Sequence, residues 1–284
     1  MITVLDSINL SAQYLSQKGI ESPRTNAELL LADILSCKRL DLYLTFERPL
    51  SETEVQKYRE HIKRRAKYEP LQYIIGKVEF YGLELKVNPS VLIPRPETEL
   101  LVENILLQFS KDKKLIILDI GSGSGNIAIA LAVNLPQSKI VSTDISEESL
   151  QIAKDNAELH NVSGQIKFVN HNILRNDVTS FPMFDIVVSN PPYVSQENYS
   201  TLQKEIKDFE PGIAVTDSGD GYTFYKEISM KTSTKLKENG KLFFEVAQGQ
   251  SEKVMEIMAK NNFENIGVIK DYQNIDRVIY GEMK

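Results

Sequence analysis

Apolar residues in the first part of the chain recur at the spacing of amphipathic helices. This period runs near residues 3–17 and 25–37, and such spacing places apolar side chains on one face of a helix. Ser51-Glu-Thr-Glu54 has the spacing of a capping box, in which two side chains accept hydrogen bonds from free N–H groups at a helix start. We therefore predict an all-helical domain over residues 1–75.

The period changes to strand-like alternation in the run Val78-Glu-Phe-Tyr-Gly-Leu-Glu-Leu-Lys-Val87. Gly82 lies near the middle of this run, so it is the predicted turn of a hairpin. We assign this linking hairpin to residues 76–90, at the start of a second domain over residues 76–284.

After Lys113, short β-rich runs alternate with helical runs. This alternation predicts the α/β fold class, with a mostly parallel sheet covered by helices on both faces. Ligands of such sheets bind beyond the carboxyl ends of the strands, so the residues that directly follow a strand are candidate site residues. The predicted strands are residues 115–119, 139–144, 165–170, 184–189 and 241–246, and the predicted helices lie near 125–134, 147–159, 221–237 and 250–260.

The first candidate segment is the glycine-rich run Asp119-Ile-Gly-Ser-Gly-Ser-Gly125. Glycines permit a tight turn and let the backbone approach a ligand closely at the start of the next helix. Turns of this kind are common in α/β proteins, so the run alone is weakly specific. A dinucleotide fingerprint would need glycine where Asn126 stands, so a nicotinamide cofactor is disfavoured. The predicted cofactor-binding residues in this loop are Gly121, Ser122, Gly123, Ser124 and Gly125.

Asp144 ends the next predicted strand, 25 residues after Asp119. An acidic side chain at this place can accept hydrogen bonds from both ribose hydroxyls of an adenine nucleoside. The alternative is that Asp144 caps the helix that opens at Ser146. Asn172 and Ile173 follow the third predicted strand and are predicted to flank the adenine ring.

The run Val187-Val-Ser-Asn-Pro-Pro-Tyr-Val194 combines a buried strand with two prolines. Pro191 and Pro192 have no N–H, so the backbone offers only carbonyl acceptors, and the fixed φ angles hold them in place. A residue before proline is extended, so the Asn190 side chain is directed beyond the strand with Oδ1 as another acceptor. With the aromatic face of Tyr193, these residues predict a catalytic site for a planar group that donates two hydrogen bonds, such as –NH2. The alternative is an ordinary strand-ending turn.

Composition limits the class of protein. Lysine and arginine total 33 and aspartate and glutamate total 39, which gives a net charge of −6. Proteins that bind duplex phosphates usually carry the opposite balance. The main basic run, residues 57–67, is expected to form the solvated face of a helix, and the alternative is a surface for a polyanionic partner. A single cysteine, Cys37, and three scattered histidines give no metal-ligand spacing, so no metal is expected. Because the sequence has neither a membrane-length apolar run nor a basic signal-peptide start, we expect a cytoplasmic protein without a membrane partner.

At Asn190 to Tyr193 the chain resembles the amino-directed S-adenosylmethionine-dependent methyltransferases, whose signature is Asn or Asp, two prolines and an aromatic residue. A larger part of the chain resembles the HemK/PrmC family, the release factor glutamine-N5 methyltransferases. The most specific shared segment is Leu92-Ile-Pro-Arg-Pro-Glu-Thr-Glu99. The other shared segments are Glu69 to Gly76, the glycine-rich loop, Glu210-Pro211, Asp220-Gly221, Glu245 with Gln250, and Asp276-Arg277-Val278.

The resemblance implies a seven-stranded, Rossmann-like methyltransferase domain after a helical domain that binds the protein substrate. It implies S-adenosylmethionine as the cofactor, with Asn190 contacting both cofactor and substrate. The implied substrate is the glutamine of the Gly-Gly-Gln loop in class-1 peptide chain release factors, and the implied role is in translation termination. Family members often have an acidic residue and then an aromatic one where Asn172 and Ile173 stand.

Two other functions are compatible with parts of the sequence. An adenine-N6 methyltransferase acting on DNA or RNA would use the same four residues, because the adenine amino group is also planar. The net charge of −6 and the run around Arg95 argue against that function. A non-catalytic protein that binds an adenosine ligand would not need Asn190 to Tyr193, and measurable turnover would exclude it.

Overall fold

The computed structural model describes residues 2–284, which fold into two compact units. One unit consists of the chain up to Lys77 together with residues 203–209, and the other consists of residues 78–202 and 210–284. The first unit therefore includes a short segment from the second half of the chain. No helix in residues 2–284 is long and apolar enough to cross a membrane.

The first unit is built from helices. Its elements are α1 (Val4–Gln17), α2 (Pro23–Ile34), a 3₁₀ helix (Arg39–Leu44), α3 (Glu52–Arg65), α4 (Leu71–Ile75) and the later helix α9 (Lys204–Phe209). At the start of α3, the Ser51 N–H donates to Glu54 Oε2 at 2.8 Å and the Glu54 N–H donates to Ser51 Oγ at 3.3 Å. The predicted helices and their capping box are confirmed. The buried core of the unit includes Val4, Ile8, Leu15, Leu30, Leu31 and Leu42.

The basic run of α3 is mostly solvent-exposed, as predicted. The prediction is wrong for Arg65, which is buried. Only 4% of Arg65 is exposed. Its guanidinium donates to Asn26 Oδ1 at 2.6 Å, to the Glu69 carbonyl oxygen at 3.0 Å and to Glu205 Oε1 at 2.5 Å. Hydrogen bonds of this number compensate for the loss of hydration of a buried charge. Arg65 therefore ties the segment 203–209 to the helices around it.

A β-hairpin follows the helices. Strands β1 (Lys77–Phe80) and β2 (Leu83–Lys86) form a two-stranded sheet. The two residues between them, Tyr81 and Gly82, have positive φ angles of 50° and 73°. A type I′ hairpin turn has positive φ angles at both central positions, so the predicted turn at Gly82 is confirmed.

The second unit is built on a seven-stranded sheet with the order β5-β4-β3-β6-β7-β9-β8. Its strands are β3 (Ile116–Ile120), β4 (Lys139–Asp144), β5 (Ile166–Asn170), β6 (Phe184–Ser189), β7 (Leu236–Glu245), β8 (Phe263–Lys270) and β9 (Asp276–Met283). The first five pair in parallel, and β9 runs antiparallel to both β7 and β8. The α/β class is therefore confirmed. The remaining helices are α5 (Pro96–Gln108), α6 (Asn126–Asn134), α7 (Glu147–Leu159), α8 (Gln196–Tyr199), α10 (Gly212–Val215), α11 (Thr223–Ser233) and α12 (Ser251–Lys260).

Helix α5 and strands β8 and β9 were not predicted, and β7 begins earlier than predicted. β7 contains the turn-like sequence Lys237-Glu-Asn-Gly240, and its pairing with β6 is irregular between Phe184 and Ile186. β8 is an edge strand with mixed exposure. Sequence periodicity is weak in such strands because their two faces are not clearly divided into buried and exposed.

The sheet is buried on both faces, which explains its continuous apolar strands. On one face, Ile117 of β3 and Phe243 of β7 pack with α5 and α6. On the other face, Leu118 and Phe244 pack with α11 and α12. The five parallel strands all end at one edge, so the segments that follow them lie near each other.

Candidate functional site

A pocket lies at the carboxyl edge of the parallel strands and contains most of the predicted site residues. About 1130 Å³ of space lies between its walls, counting the open solvent at its mouth. Its walls are the segments after β3, β4, β5 and β6, together with residues 90–98 and 211–214. The predicted site residues that line it are Gly121, Gly123, Asp144, Asn172, Ile173, Asn190, Pro191 and Pro192.

The glycine-rich loop forms one end of the pocket, the glycine-loop end, together with Asp144. Gly121, Gly123 and Gly125 have φ angles of 86°, 52° and 82°, which residues other than glycine rarely adopt. A Cβ atom on Gly125 would lie 2.9 Å from Ile129 Cδ1. These glycines therefore fix the shape of the loop and its close packing on α6.

Three predicted cofactor-binding residues, Ser122, Ser124 and Gly125, do not line the pocket. Ser122 and Ser124 are each only 1% exposed. Ser122 Oγ lies at hydrogen-bond distance from Ser142 Oγ, 2.8 Å away on the side of the sheet. The side chains of Ser122 and Ser124 are therefore buried under the loop, and a role in cofactor binding stays a prediction for all three residues.

The N–H groups of the loop are largely used within the protein. Gly121 and Ser122 both donate to the Thr143 carbonyl oxygen at 2.8 Å, and Gly123 donates to Asp144 Oδ2 at 2.9 Å. The glycines of the loop therefore let a ligand come close to the backbone. The N–H groups of the loop are hydrogen-bonded mainly to the end of β4.

Asp144 is fixed at the end of β4 by backbone hydrogen bonds. Oδ2 accepts from Gly123 N–H, and Oδ1 accepts from Ser146 N–H at 2.9 Å. The N-cap of α7 is Ser146, whose Oγ accepts from Ser149 N–H at 3.1 Å. Burial raises the pKa of Asp144, and the backbone hydrogen bonds oppose that rise. A carboxylate has about four lone-pair positions, so Asp144 keeps acceptor capacity toward the pocket.

Asn172 and Ile173 line the pocket beyond β5. Asn172 Oδ1 accepts from Leu174 N–H at 2.9 Å, so one of its two lone pairs is already used in a local turn. Ile173 is 5% exposed and offers an apolar surface. The pair can therefore provide one acceptor and one apolar contact to a flat ring.

The other end of the pocket, the Asn190 end, is formed by Asn190, Pro191, Pro192 and Thr98. Asn190 Nδ2 donates to Thr98 Oγ1 at 3.1 Å, which leaves the amide oxygen as an acceptor. A Cβ atom on Gly121 would lie 3.8 Å from the Asn190 carbonyl oxygen. The two ends of the pocket are therefore adjacent, as chemistry between two bound groups requires.

Tyr193 is not among the residues that line the pocket. It packs against the core cluster on the α11 side of the sheet, and burial raises the pKa of its hydroxyl. Its carbonyl oxygen accepts from Gln250 Nε2 at 3.0 Å, and Gln250 Oε1 accepts from the Ala247 N–H at 3.2 Å. Contact between the Tyr193 ring and a substrate stays a prediction.

Sequence reasoning did not assign site roles to the wall formed by residues 90–98. Arg95 and Thr98 line the pocket. Arg95 pairs with Glu210 at 2.5 Å, and Glu210 Oε2 also accepts from the Ile93 N–H at 3.3 Å. The unusual run from Leu92 to Glu99 was the signal in the sequence that could have identified this wall. It does not follow a strand of the large sheet, so nothing in the sequence placed it at the sheet edge.

Two buried acids lie beside the pocket. Burial raises the pKa of Asp119 to about 7, and Asp119 accepts from Ser142 Oγ at 2.7 Å. Burial also raises the pKa of Glu245 to about 7, against hydrogen bonds from Thr98 and Asn190. Perturbed acids of this kind are frequent at functional sites. Residues 2–284 contain no group of histidine, cysteine or acidic side chains arranged to hold a metal ion.

Two family models match parts of this chain. Residues 6–76 match the PrmC N-terminal domain, and residues 96–208 match the methyltransferase small domain. A methyltransferase structure from Pyrococcus furiosus superposes with a TM-score of 0.52 at 19% identity, over 72% of this chain and 90% of that one. The fold is thus that of the α/β methyltransferases.

Full-length relatives define the family more narrowly. The release factor glutamine methyltransferase of Fusobacterium nucleatum is 41% identical over 97% of this chain and 77% of its own length. The corresponding protein of Chlorobaculum tepidum is 36% identical over 97% of this chain and 95% of its own length. The chain belongs to the family of release factor glutamine methyltransferases.

Proposed function

We propose that this protein methylates the side-chain amide nitrogen of the glutamine in the Gly-Gly-Gln loop of class-1 release factors, with S-adenosylmethionine as the methyl donor. The observation that carries the proposal is the meeting of Asp144 and the glycine loop with Asn190 and Pro191 in one pocket. Membership of the family supplies the substrate class. The proposed role is in translation termination.

The residues of the glycine-loop end fit the cofactor. Asp144 is held by two backbone N–H groups and still has free acceptor capacity, as binding of the ribose hydroxyls requires. Gly121 and Gly123 expose backbone without a Cβ at the pocket wall, and Ile173 offers an apolar surface. When bound, S-adenosylmethionine supplies an electrophilic methyl group on a sulfonium.

Asn190 and Pro191 act on the glutamine nitrogen. An amide nitrogen is a poor nucleophile because its lone pair is delocalised into the carbonyl. Asn190 Oδ1 and the Pro191 carbonyl oxygen would accept hydrogen bonds from the two N–H groups of the glutamine –NH2. They would thereby stabilise the positive charge that develops on the nitrogen. Alignment contributes the rest, and no general base is assigned because proton loss can follow the transfer.

The helical unit is proposed to hold the release factor. It exposes large apolar side chains on its 3₁₀ helix, where Leu40 is 73% and Leu44 is 85% exposed. The double substitution Leu40→Asp and Leu44→Asp should raise KM for the intact release factor by about tenfold, since two apolar contacts would be lost. It should leave cofactor affinity unchanged. An unchanged KM would contradict this role for the 3₁₀ helix.

Mass spectrometry of a release factor after incubation with enzyme and cofactor tests the function. We expect one added methyl group, located on the Gly-Gly-Gln glutamine. Duplex DNA and RNA serve as competing substrates in the same conditions. Methylated adenine together with an unmodified release factor would favour an adenine-N6 methyltransferase instead.

A further inference from the structure

The Asn190 amide has two neighbours that are remote in sequence, Thr98 in the pocket wall and the buried Glu245. Thr98 is in the first turn of α5 and is 1% exposed, and Glu245 ends β7 and is 3% exposed. Ser189 pairs with Phe244 in the parallel ladder of β6 and β7, so Asn190 and Glu245 are the next residues of adjacent strands. The sheet register therefore brings the carboxyl group beside the amide.

The amide nitrogen donates to Thr98 directly, and the buried Glu245 carboxyl group lies close to both Thr98 and Asn190. Asn190 Nδ2 donates to Thr98 Oγ1 at 3.1 Å, and hydrogen bonding from Thr98 and Asn190 acts on the Glu245 carboxyl group. Glu245 Oε2 has no hydrogen-bond partner in residues 2–284. The opposite orientation of the amide would place Oδ1 against the Glu245 carboxylate, where two acceptors repel each other.

We infer that Thr98 and Glu245 are positioning residues, which hold the Asn190 amide with Nδ2 toward the core and Oδ1 toward the pocket. A carboxylate that accepts from an amide N–H also draws charge toward the amide oxygen, since hydrogen bonds in a network polarise one another. Oδ1 is then both oriented and strengthened as an acceptor. This inference rests on the proposed function, because the group that Oδ1 accepts from is the substrate amide.

The charge state of Glu245 gives a signature that a purely structural role would lack. Burial raises the pKa of Glu245 to about 7, so the carboxylate form is lost as the pH falls through that value. The transfer rate should follow the carboxylate form and rise with pH through about 7. The ionisable groups that act on Glu245 from the packed elements are Glu97 of α5, Arg277 of β9, Tyr193 after β6 and Tyr225 of α11.

Three variants and one control test the inference. Thr98→Val removes the hydroxyl, Thr98→Ser restores it, and Glu245→Gln removes the charge at nearly constant size. Thr232→Val is the matched control, because Thr232 is also fully buried but donates to the Ile228 carbonyl oxygen within α11. Thermal midpoints identify any variant that fails to fold.

We expect Thr98→Val and Glu245→Gln to lower the single-turnover methylation rate by about 10- to 100-fold, the size of one charge-assisted hydrogen bond in the transition state. Cofactor Kd should change less than about twofold, since neither residue belongs to the glycine-loop end. Thr98→Ser and Thr232→Val should react like the wild type, and Glu245→Gln should lose the dependence on pH near 7. Rates within twofold of wild type for both Thr98→Val and Glu245→Gln, or an unchanged pH profile in Glu245→Gln, would overturn the inference.

Failure of the proposed function can be told apart from failure of this inference. If the wild type does not methylate a release factor, the proposed function is wrong. Hydrogen exchange of the Asn190 side-chain amide, measured by NMR without substrate, still tests the positioning. Slow exchange in the wild type and faster exchange in Thr98→Val would support it, and equal exchange would overturn it.

Discussion

The two ends of the pocket are built in different ways. At the glycine-loop end, backbone groups do most of the fixing: Thr143 O binds two loop N–H groups, and two further N–H groups hold the Asp144 carboxylate. At the Asn190 end, side chains from distant segments hold the Asn190 amide in place; Thr98, for example, is separated from Asn190 by 92 residues in sequence. A cofactor site can thus be encoded in a short run, whereas orienting one amide for catalysis needs partners that only the folded sheet brings together.

Asn190→Ala should have the largest effect and should separate the two ends. The methyl transfer rate should fall roughly 100- to 1000-fold, because the lost acceptor matters mainly in the transition state. Cofactor Kd by calorimetry should change only a few-fold. Asn134→Ala, which removes a side-chain hydrogen bond to Ala130 O within α6, is the control. A single-turnover rate near wild type would mean that Asn190 does not polarise the substrate.

Asp144→Ala should show the opposite behaviour. Two hydroxyl-to-carboxylate hydrogen bonds would be lost, each worth on the order of 1.5 kcal/mol or more, so Kd for S-adenosylmethionine should rise by about 100-fold or more. The rate at saturating cofactor should fall much less. Glu148→Ala changes a nearby exposed acid and should leave Kd unchanged. An unchanged Kd in Asp144→Ala, with the fold intact, would refute the ribose role.

Gly125→Ala should test the backbone construction of the glycine-loop end through stability. Its φ of 82° and the 2.9 Å approach of a Cβ to Ile129 Cδ1 both oppose a side chain. We expect the free energy of unfolding to fall by about 2 to 4 kcal/mol in denaturant titrations. Gly123→Ala is the comparison, since a Cβ there meets nothing within 4 Å and only the backbone strain of about 1 kcal/mol remains. Equal losses for the two variants would contradict the packing argument.

The smallest expected effect is a dependence of cofactor affinity on pH. Burial raises the pKa of Asp144, and only the ionised carboxylate accepts from both ribose hydroxyls. Affinity should therefore be full at alkaline pH and decrease as the pH falls through this raised pKa, at a higher pH than for an ordinary aspartate. Calorimetry at several pH values measures this, and Asp144→Asn should not show the dependence. If the cofactor Kd of the wild type does not change with pH down to the pH at which the protein unfolds, ionisation of Asp144 does not control cofactor binding.

Local signals were sufficient for much of the fold. The capping box at Ser51, the turn at Gly82 and the alternation after Lys113 depend on neighbouring residues, so their elements were predicted from the chain itself. The edge strand β8 was missed because its apolar pattern is weak, and β9 was missed because its buried positions do not alternate regularly, although it pairs with β7 and β8. Arg65 was assigned to a solvated helix face because its partners come from segments distant in sequence.

The sequence by itself determined the α/β class, the position of the glycine loop and the residues at the ends of β3, β4 and β6. Each of these follows from local periodicity or from the special backbone properties of glycine and proline. Only the tertiary structure decided that Ser122 and Ser124 are buried, that Tyr193 packs against the core cluster on the α11 side of the sheet, and that Thr98 and Glu245 lie beside Asn190. The physical reason is that burial and side-chain hydrogen bonding depend on the register of the sheet and the packing of α5, which join parts of the chain that no local pattern connects.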